Sequence, residues 1–79
     1  MTKRADGVFD VKRFITDVRA YRRRHMTTYH ELGKLLNMGD YYVKQILTHA
    51  SEPSLFSAVV LAQYADLSLD EYIKVPVVQ

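Results

Sequence analysis

The chain contains no cysteine and no tryptophan, and it has only two prolines and three glycines among its 79 residues. Without cysteine it can form neither a disulfide framework nor a cysteine-ligated zinc site. Folding a chain of this length buries only about 60–65% of the surface that its unfolded form exposes. We therefore predict a single small domain over residues 1–79, stabilised by the packing of its many aliphatic side chains.

Long apolar runs are also missing. No stretch approaches the roughly 18 residues that are needed to cross a bilayer. The first ten residues, MTKRADGVFD, lack the apolar block of a signal peptide. We therefore expect a soluble, unprocessed protein that has no membrane partner.

Patterns typical of catalysis or metal binding do not occur either. The three histidines, His25, His30 and His49, lie in different segments, and the acidic residues are dispersed. The chain has no glycine-rich phosphate loop, no close Ser-His-Asp arrangement and no His-Glu-x-x-His spacing. We predict that the protein is not an enzyme, needs no cofactor or metal and takes no small-molecule substrate.

Positive charge is concentrated near the N-terminus. Residues 1–24 hold eight Lys/Arg and three Asp/Glu, whereas residues 25–79 hold three and six, although the net charge is only +2. The asymmetry suggests that the N-terminal arm, residues 1–9, or the basic first helix after it lies near a polyanion. The alternative is that Arg22, Arg23 and Arg24 only oppose the macrodipole at the end of a helix.

The spacing of the apolar residues predicts helices almost throughout, with no strand before the C-terminal tail. We expect five helices, over about residues 10–24, 28–36, 40–48, 55–65 and 69–73. Asp10, Thr28 with Glu31, Ser54, and Ser68 with Glu71 supply the predicted N-terminal caps. The apolar faces expected to fill the core include Leu35, Ile46, Leu55 and Val59.

The second and third predicted helices are separated only by Asn37-Met38-Gly39. Two helices joined so closely, the second with polar and aromatic residues on its outer face, are typical of a helix-turn-helix that places a helix in the major groove of DNA. Further motifs follow in a fixed register: Thr28, Glu31, Leu32, Gly33, Leu36, Val43, Ile46, Pro53-Ser54-Leu55, Leu61-Ala62 and Ser68-Leu69-Asp70-Glu71. Over residues 28–72 the chain resembles the phage repressor and Cro family, the lambda-repressor-like or XRE-type helix-turn-helix proteins. The resemblance implies an all-α bundle of about five helices with the helix-turn-helix at residues 28–49.

The outer face of the third helix supplies the predicted base-reading residues. Gln45 can pair bidentately with adenine, and Lys44 can donate to guanine or to a phosphate. Tyr41 can pack against a thymine methyl or donate to a phosphate. Asp40 can accept from the cytosine amino group, although a favourable helix-start role for its charge is the stronger interpretation. Tyr42 is expected to pack against the second helix or a partner subunit.

A second set of residues is predicted to contact phosphates. The amides at the start of the second helix favour an anion. The residues expected to add hydrogen bonds there or nearby are Thr28, Tyr29, His30, Thr48, Ser51 and Arg22. The chain departs from the family's pattern at two positions. Tyr29 replaces a glutamine that contacts phosphate, and Leu47 replaces an acid that pairs with the arginine matched by Arg22, so we expect Arg22 to be free for phosphate.

The resemblance implies a sequence-specific regulator of transcription, most simply a Cro-type phage or prophage repressor that blocks promoters. It would act in the cytoplasm of a bacterial cell or a phage-infected host, as a homodimer on a palindromic operator of double-stranded DNA. The expected dimer contacts are Tyr72, Ile73, Val75 and Val77, the last two in the apolar tail 74–79. The alternative is a helix-turn-helix protein-interaction module, such as an anti-repressor or an antitoxin, that would use the exposed Tyr41-Tyr42 pair.

Overall fold

A computed structural model describes residues 8–74 of the chain. Its helices are α1 (Val11–His25), α2 (Tyr29–Leu36), α3 (Asp40–His49) and α4 (Leu55–Tyr64), followed by a 3₁₀ helix (Leu69–Tyr72). Two short strands, β1 (Val8–Phe9) and β2 (Ile73–Lys74), pair antiparallel. The prediction of a mostly helical fold is confirmed, with four α-helices in this part of the chain. None of those helices has the length and apolar character that crossing a membrane requires.

Local hydrogen bonds explain why the first two helices begin where they do. Asp10 accepts from the Arg13 amide at the start of α1 (3.2 Å). At the start of α2, Thr28 Oγ1 accepts from the Glu31 amide (3.0 Å), and Glu31 Oε1 accepts from the Thr28 amide (2.8 Å). The hydrogen bonds from the Thr28 amide and hydroxyl lower the pKa of Glu31. The predicted caps at these two helices are confirmed, as is the Ser54 cap of α4.

Two predictions for the chain termini are wrong. The segment after Ser68 forms one 3₁₀ turn rather than a fifth α-helix, and the Ser68 side chain makes no capping hydrogen bond. A strand at Val8–Phe9 was not expected. Both differences have one cause: the Tyr72 carbonyl accepts from the Asp10 amide (2.7 Å), and Ile73 pairs with Phe9, so the chain is drawn into an extended conformation after only four helical residues.

The core lies where α1, α2, α3 and α4 meet. Its buried members are Phe14, Ile15, Val18, Leu32, Leu36, Val43, Leu47, Leu61, Ala62, Ala65 and Tyr72. Ile46 is only partly buried against this cluster. Three residues expected in the core are exposed instead: Leu35 at 52%, Leu55 at 79% and Val59 at 37%. The period of the apolar residues placed them on core faces, but α2 and α4 each carry more apolar residues than their buried sides can hold.

Tyr72 is a core residue and not a dimer contact. Its side chain is 2% exposed, and its hydroxyl donates to the Asp17 carboxylate (2.6 Å). Its ring lies edge-on to Phe14, and the Arg13 guanidinium lies over it at 4.7 Å from the ring centroid. The prediction of Tyr72 in a dimer surface is therefore wrong, because its ring is buried within the fold and its hydroxyl is already paired with Asp17.

The other expected dimer contacts have different outcomes. Ile73 is 41% exposed in β2, so its side chain remains available. Val75 and Val77 lie outside the described residues, as do the rest of the tail after Lys74 and residues 1–7 of the proposed N-terminal arm.

Gly33 has no room for a side chain. A Cβ at this position would lie 2.5 Å from the Met38 carbonyl oxygen, which belongs to the backbone of the turn after α2. The Met38 amide in turn donates to the Gly33 carbonyl (2.9 Å). The group that approaches Gly33 most closely is therefore the turn after α2 rather than α3.

We predict that Gly33→Ala lowers the free energy of unfolding by about 1–2 kcal/mol. Moving the turn away from the new Cβ should cost more free energy than the roughly 1 kcal/mol by which the higher helix propensity of alanine stabilises the helix. Urea unfolding measures the change. Gly39→Ala is the matched control, since a Cβ there meets only the Tyr42 ring, at 4.0 Å. Equal stability of Gly33→Ala and the natural chain would contradict the interpretation.

A second prediction concerns alkaline pH. Burial, and next the hydrogen bond to Asp17, raise the pKa of Tyr72 to about 12, above the value of about 10 for an unfolded tyrosine. The neutral hydroxyl therefore stabilises the fold fully below pH 10, and this stabilisation is lost as the pH rises towards 12. Tyr72→Phe should cost about 1–2 kcal/mol at pH 7, and its deficit relative to the natural chain should shrink between pH 10 and 12.

Urea unfolding at pH 7, 9, 10 and 11 follows that deficit. Tyr41→Phe removes an exposed tyrosine and should show the same pH dependence as the natural chain. If the free energy of unfolding of Tyr72→Phe stays below that of the natural chain by the same amount up to pH 11, ionisation of the Tyr72 hydroxyl does not destabilise the fold.

Candidate nucleic-acid interface

A three-residue turn redirects the chain between α2 and α3. Asn37 ends α2 in the left-handed conformation (φ 58°), and Gly39 precedes the first residue of α3 in an extended conformation. Leu32 and Leu36 from α2 are buried in the same cluster as Val43 and Leu47 from α3. The pair of helices is thus fixed by the turn at one end and by shared apolar packing along its inner side.

The outer face of α3 carries the predicted base-reading residues. Asp40, Tyr41 and Lys44 are exposed, and Gln45 is half-buried. Tyr41 and Gln45 lie opposite the buried Val43 and Leu47, Lys44 lies on the flank, and Asp40 is exposed because it is the first residue of the helix. The structure brings them together as predicted. Thr48, which lies one turn beyond Lys44, is exposed on the same surface.

Two of these side chains form a hydrogen bond one helical turn apart. Gln45 Nε2 donates to the Tyr41 hydroxyl (3.1 Å). The Tyr41 ring also contacts Tyr42 edge-on, with centroids 5.4 Å apart, and both rings are more than 60% exposed. The Gln45 amide is therefore oriented by a neighbour while its carbonyl oxygen and second amide hydrogen remain available.

The starts of α2 and α3 converge. His30 Nδ1 lies 3.3 Å from Asp40 Oδ1, and both side chains are more than 60% exposed. Because the contact is exposed, it stabilises the fold little. The contact does, however, place the first turn of α2 beside the first turn of α3 at one surface. An open depression of about 430 Å³ lies between them, lined by His30, Gly33, Lys34, Asn37, Met38, Gly39 and Asp40.

The start of α2 also supplies backbone amides for an anion. The Thr28 side chain and carbonyl accept from the amides of Glu31 and Leu32. The first amides of the helix, those of Tyr29 and His30, have no acceptor within an α-helix. Together with the positive end of the helix macrodipole they favour an anion.

Arg22 is held by its neighbours and is not free, contrary to expectation. Its Nη1 donates to the Thr27 carbonyl (2.9 Å), and its guanidinium lies over the Tyr29 ring at 4.5 Å from the centroid. Its Nε is buried without an acceptor among residues 8–74. Leu47, which stands where the family pairs an acid with this arginine, is a buried core residue and cannot accept. Arg22 thus positions Tyr29 and the segment that leads into α2.

Tyr29, whose ring lies beneath the Arg22 guanidinium, is also held by the fold. It is half-buried and packs against the core, so only part of its side chain reaches the surface. The adjacent Thr27 hydroxyl accepts from the Tyr64 hydroxyl (2.5 Å). Sequence analysis missed Thr27 and Tyr64, since no local pattern links residues 37 positions apart.

The remaining predicted contacts lie near the end of α3. Ala50 ends that helix in the left-handed conformation (φ 51°), and Ser51 follows it exposed. The residues from Thr28 to His49 carry no net formal charge, because Lys34 and Lys44 are offset by Glu31 and Asp40. Within residues 8–74 no group of histidine and acidic side chains could hold a metal ion.

Comparison with known proteins adds no relative. No protein-family model, curated protein or solved structure matches this chain. The candidate interface is therefore argued from its own residues.

We predict that Arg22→Lys lowers the free energy of unfolding by about 1 kcal/mol. Lysine keeps the charge but cannot stack a planar group on Tyr29 while donating to the Thr27 carbonyl. Urea unfolding measures the loss, and Arg23→Lys, at an exposed position of the same helix, should leave the stability unchanged. If both variants match the natural chain, Arg22 does not position the start of α2.

Proposed function

We propose that the protein is a sequence-specific regulator of transcription that binds double-stranded DNA through a helix-turn-helix formed by α2 and α3. The observation that carries the proposal is the single surface on which the exposed side of α3 and the first turn of α2 meet, joined by the contact between His30 and Asp40. A protein that reads DNA needs both parts side by side: one helix to enter the groove and one helix start to hold the backbone.

The dimensions of α3 suit the major groove. Its ten residues span about 15 Å, and a groove about 12 Å wide accepts one helix. Lys44 and Gln45 lie in the first two turns of α3, the part of such a helix that contacts base edges, while Thr48 and Ser51 lie further along. α2 would cross the backbone, with the amides of Tyr29 and His30 beside a phosphate.

Gln45 is the residue best prepared to read a base. An adenine offers an acceptor at N7 and a donor at N6, and a glutamine amide complements both. Since Tyr41 takes only one of the two Nε2 hydrogens, the other hydrogen and the carbonyl oxygen can pair with adenine. The hydrogen bond to Tyr41 limits the freedom that Gln45 loses on binding, which favours affinity.

Asp40 would contribute to the preference among DNA sequences. A carboxylate close to DNA is repelled by phosphates, and only the cytosine amino group offers it a donor in the major groove. The contact with His30 occupies only one of the two oxygens of this carboxylate, and it does not remove the repulsion from phosphates. Asp40 therefore disfavours sites that lack cytosine at the corresponding position.

Phosphate contacts should be few. With Lys34 and Lys44 offset by two acids, the α2–α3 pair adds no net attraction, and the helix-start amides carry part of the contact. If two to four phosphates are neutralised, a plot of the logarithm of the binding constant against the logarithm of the salt concentration should have a slope of about −2 to −4. The resemblance to Cro-type repressors adds promoter blocking in the cytoplasm of a bacterium or its phage, by a homodimer on a palindrome with half-sites about 34 Å apart.

A protein-interaction module is the second candidate. Tyr41 and Tyr42 are 64% and 61% exposed and adjacent, and exposed tyrosines are common in interface hot spots. A module of this kind would bind another regulator or a toxin through the same face and would show no preference among DNA sequences.

Selection of random duplex DNA by the purified protein at physiological salt, followed by sequencing of the bound pool, separates the two candidates. An enriched sequence supports the proposal, and a palindrome with half-sites about ten base pairs apart supports a dimer on the operator. A pool without enrichment contradicts DNA reading and favours the interaction module.

Variants of Gln45, the proposed base-reading residue, and of its neighbour Tyr41 give a sharper prediction. Gln45→Ala should cost about 1–3 kcal/mol of binding at one or two base pairs and abolish the preference there. Tyr41→Phe removes the hydrogen bond that orients Gln45, and should weaken the preference at the same base pairs by a smaller amount. Both are measured by titrating the selected duplex and its single-base variants.

Gln63→Ala is the control, because Gln63 is an exposed glutamine on α4 rather than on α3. It should leave every affinity unchanged. If Gln45→Ala keeps the full sequence preference, Gln45 does not read a base and the assignment of α3 is wrong.

A further inference from the structure

Thr27, which lies between α1 and α2, is held by two other helices. Its amide donates to the Arg22 carbonyl (3.0 Å), and its carbonyl accepts from Arg22 Nη1 (2.9 Å). Its hydroxyl accepts from the hydroxyl of Tyr64, the last residue of α4. The amide, the carbonyl and the hydroxyl of Thr27 therefore all have partners, two of them on α1 and one on α4.

Tyr64 supplies a rigid anchor for this contact. Its ring is half-buried and packs against the core, edge-on to the Tyr21 ring with the centroids 5.0 Å apart. Ala65, which follows it along the chain, is buried in the core. Because both the ring and the end of α4 are fixed, the hydroxyl has a defined position from which it reaches Thr27.

A hydrogen bond fixes the position of Thr27 more narrowly than an apolar contact would. Aliphatic groups tolerate small displacements, whereas two hydroxyls must keep their oxygens about 2.5–3.0 Å apart and suitably oriented. A half-buried hydroxyl that loses its partner is also penalised. Thr27 can therefore move little while Tyr64 holds it.

The amides expected to meet a phosphate follow Thr27 directly. Thr28 is the N-cap of α2, and the amides of Tyr29 and His30 come next. Since the Cα atoms of Thr27 and Thr28 are a fixed distance of about 3.8 Å apart, a displacement of Thr27 is passed on to these amides. A binding site needs its donors within about 0.5 Å of the productive geometry.

We propose that Tyr64, although it lies on α4 and outside the helix-turn-helix, is a positioning residue for phosphate binding at the start of α2. It acts through Thr27, 37 positions away along the chain, and not by contact with DNA. Base reading by α3 does not depend on it, because Val43 and Leu47 anchor that helix in the core. The inference rests on the proposed function and adds a residue that sets its backbone contact.

Two variants remove the hydrogen bond from its two ends. Tyr64→Phe keeps the ring and loses the donor, and Thr27→Val loses the acceptor. Each should weaken binding of the selected duplex about tenfold, since part of a hydrogen bond to a charged group is lost. The loss should be the same for the single-base variants of that duplex. The double variant should bind about as tightly as either single variant, because both changes remove one interaction.

Tyr21→Phe is the matched control, because Tyr21 contacts Tyr64 through its ring. It should leave the affinity unchanged. Thr27→Ser keeps the hydroxyl and should retain most of the affinity that Thr27→Val loses. Circular dichroism confirms that each variant is folded at the temperature of the titration, and Thr27→Val carries the test if Tyr64→Phe is not.

Amide hydrogen exchange in the free chain tests the positioning without DNA. The amides of Glu31 and Leu32 donate to Thr28 at the start of α2. In Tyr64→Phe they should exchange at least about threefold faster, whereas the amide of Leu47 in α3 should exchange at its natural rate. A general loss of stability would instead speed exchange in both helices.

Three results would overturn the inference. They are a folded Tyr64→Phe that binds every duplex as tightly as the natural chain, a change in its base preference, and equal acceleration of exchange in α2 and α3. Failure of the proposed function is a separate result. A natural chain that enriches no sequence would remove DNA reading, while the exchange comparison would still decide whether Tyr64 positions the start of α2.

Discussion

The approach of the Met38 carbonyl to Gly33 is the constraint on which the arrangement of α2 and α3 depends. The oxygen occupies the space of a Cβ, which lets the chain turn within Asn37-Met38-Gly39 and bring the start of α3 back beside α2. The burial of Leu32, Leu36, Val43 and Leu47 in one cluster follows from that turn. So does the meeting of His30 with Asp40, which defines the candidate interface.

Features that depend on neighbouring residues were predictable from the sequence. The capping box at Thr28 and Glu31, the left-handed Asn37 and the bounds of α1 to α4 are local, because each rests on hydrogen bonds or periodicities within a few residues. The exposed face of α3 follows from the helical period in the same way. The shared surface with α2 followed from the register of the motifs.

Features that depend on distant residues were not predictable. The roles of Tyr72 and Arg22 were decided by Asp17, Thr27 and Tyr29 in the folded chain, and a single sequence does not reveal such pairs. The length of the last helix was decided by the pairing of β1 with β2. Leu55 and Val59 show a further limit: periodicity marks residues as apolar but cannot say whether the fold or another molecule covers them.

The pairing of β1 with β2 has a mechanical consequence. Val8 lies opposite Lys74 in an antiparallel register, so the described chain enters and leaves the fold at adjacent positions. A force that pulls these two positions apart acts along the hydrogen bonds between the strands, which run perpendicular to them. The bonds then open one after another instead of resisting together. The Asp10 to Tyr72 hydrogen bond is next in line, and its loss would release the backbone that holds Tyr72 against α1.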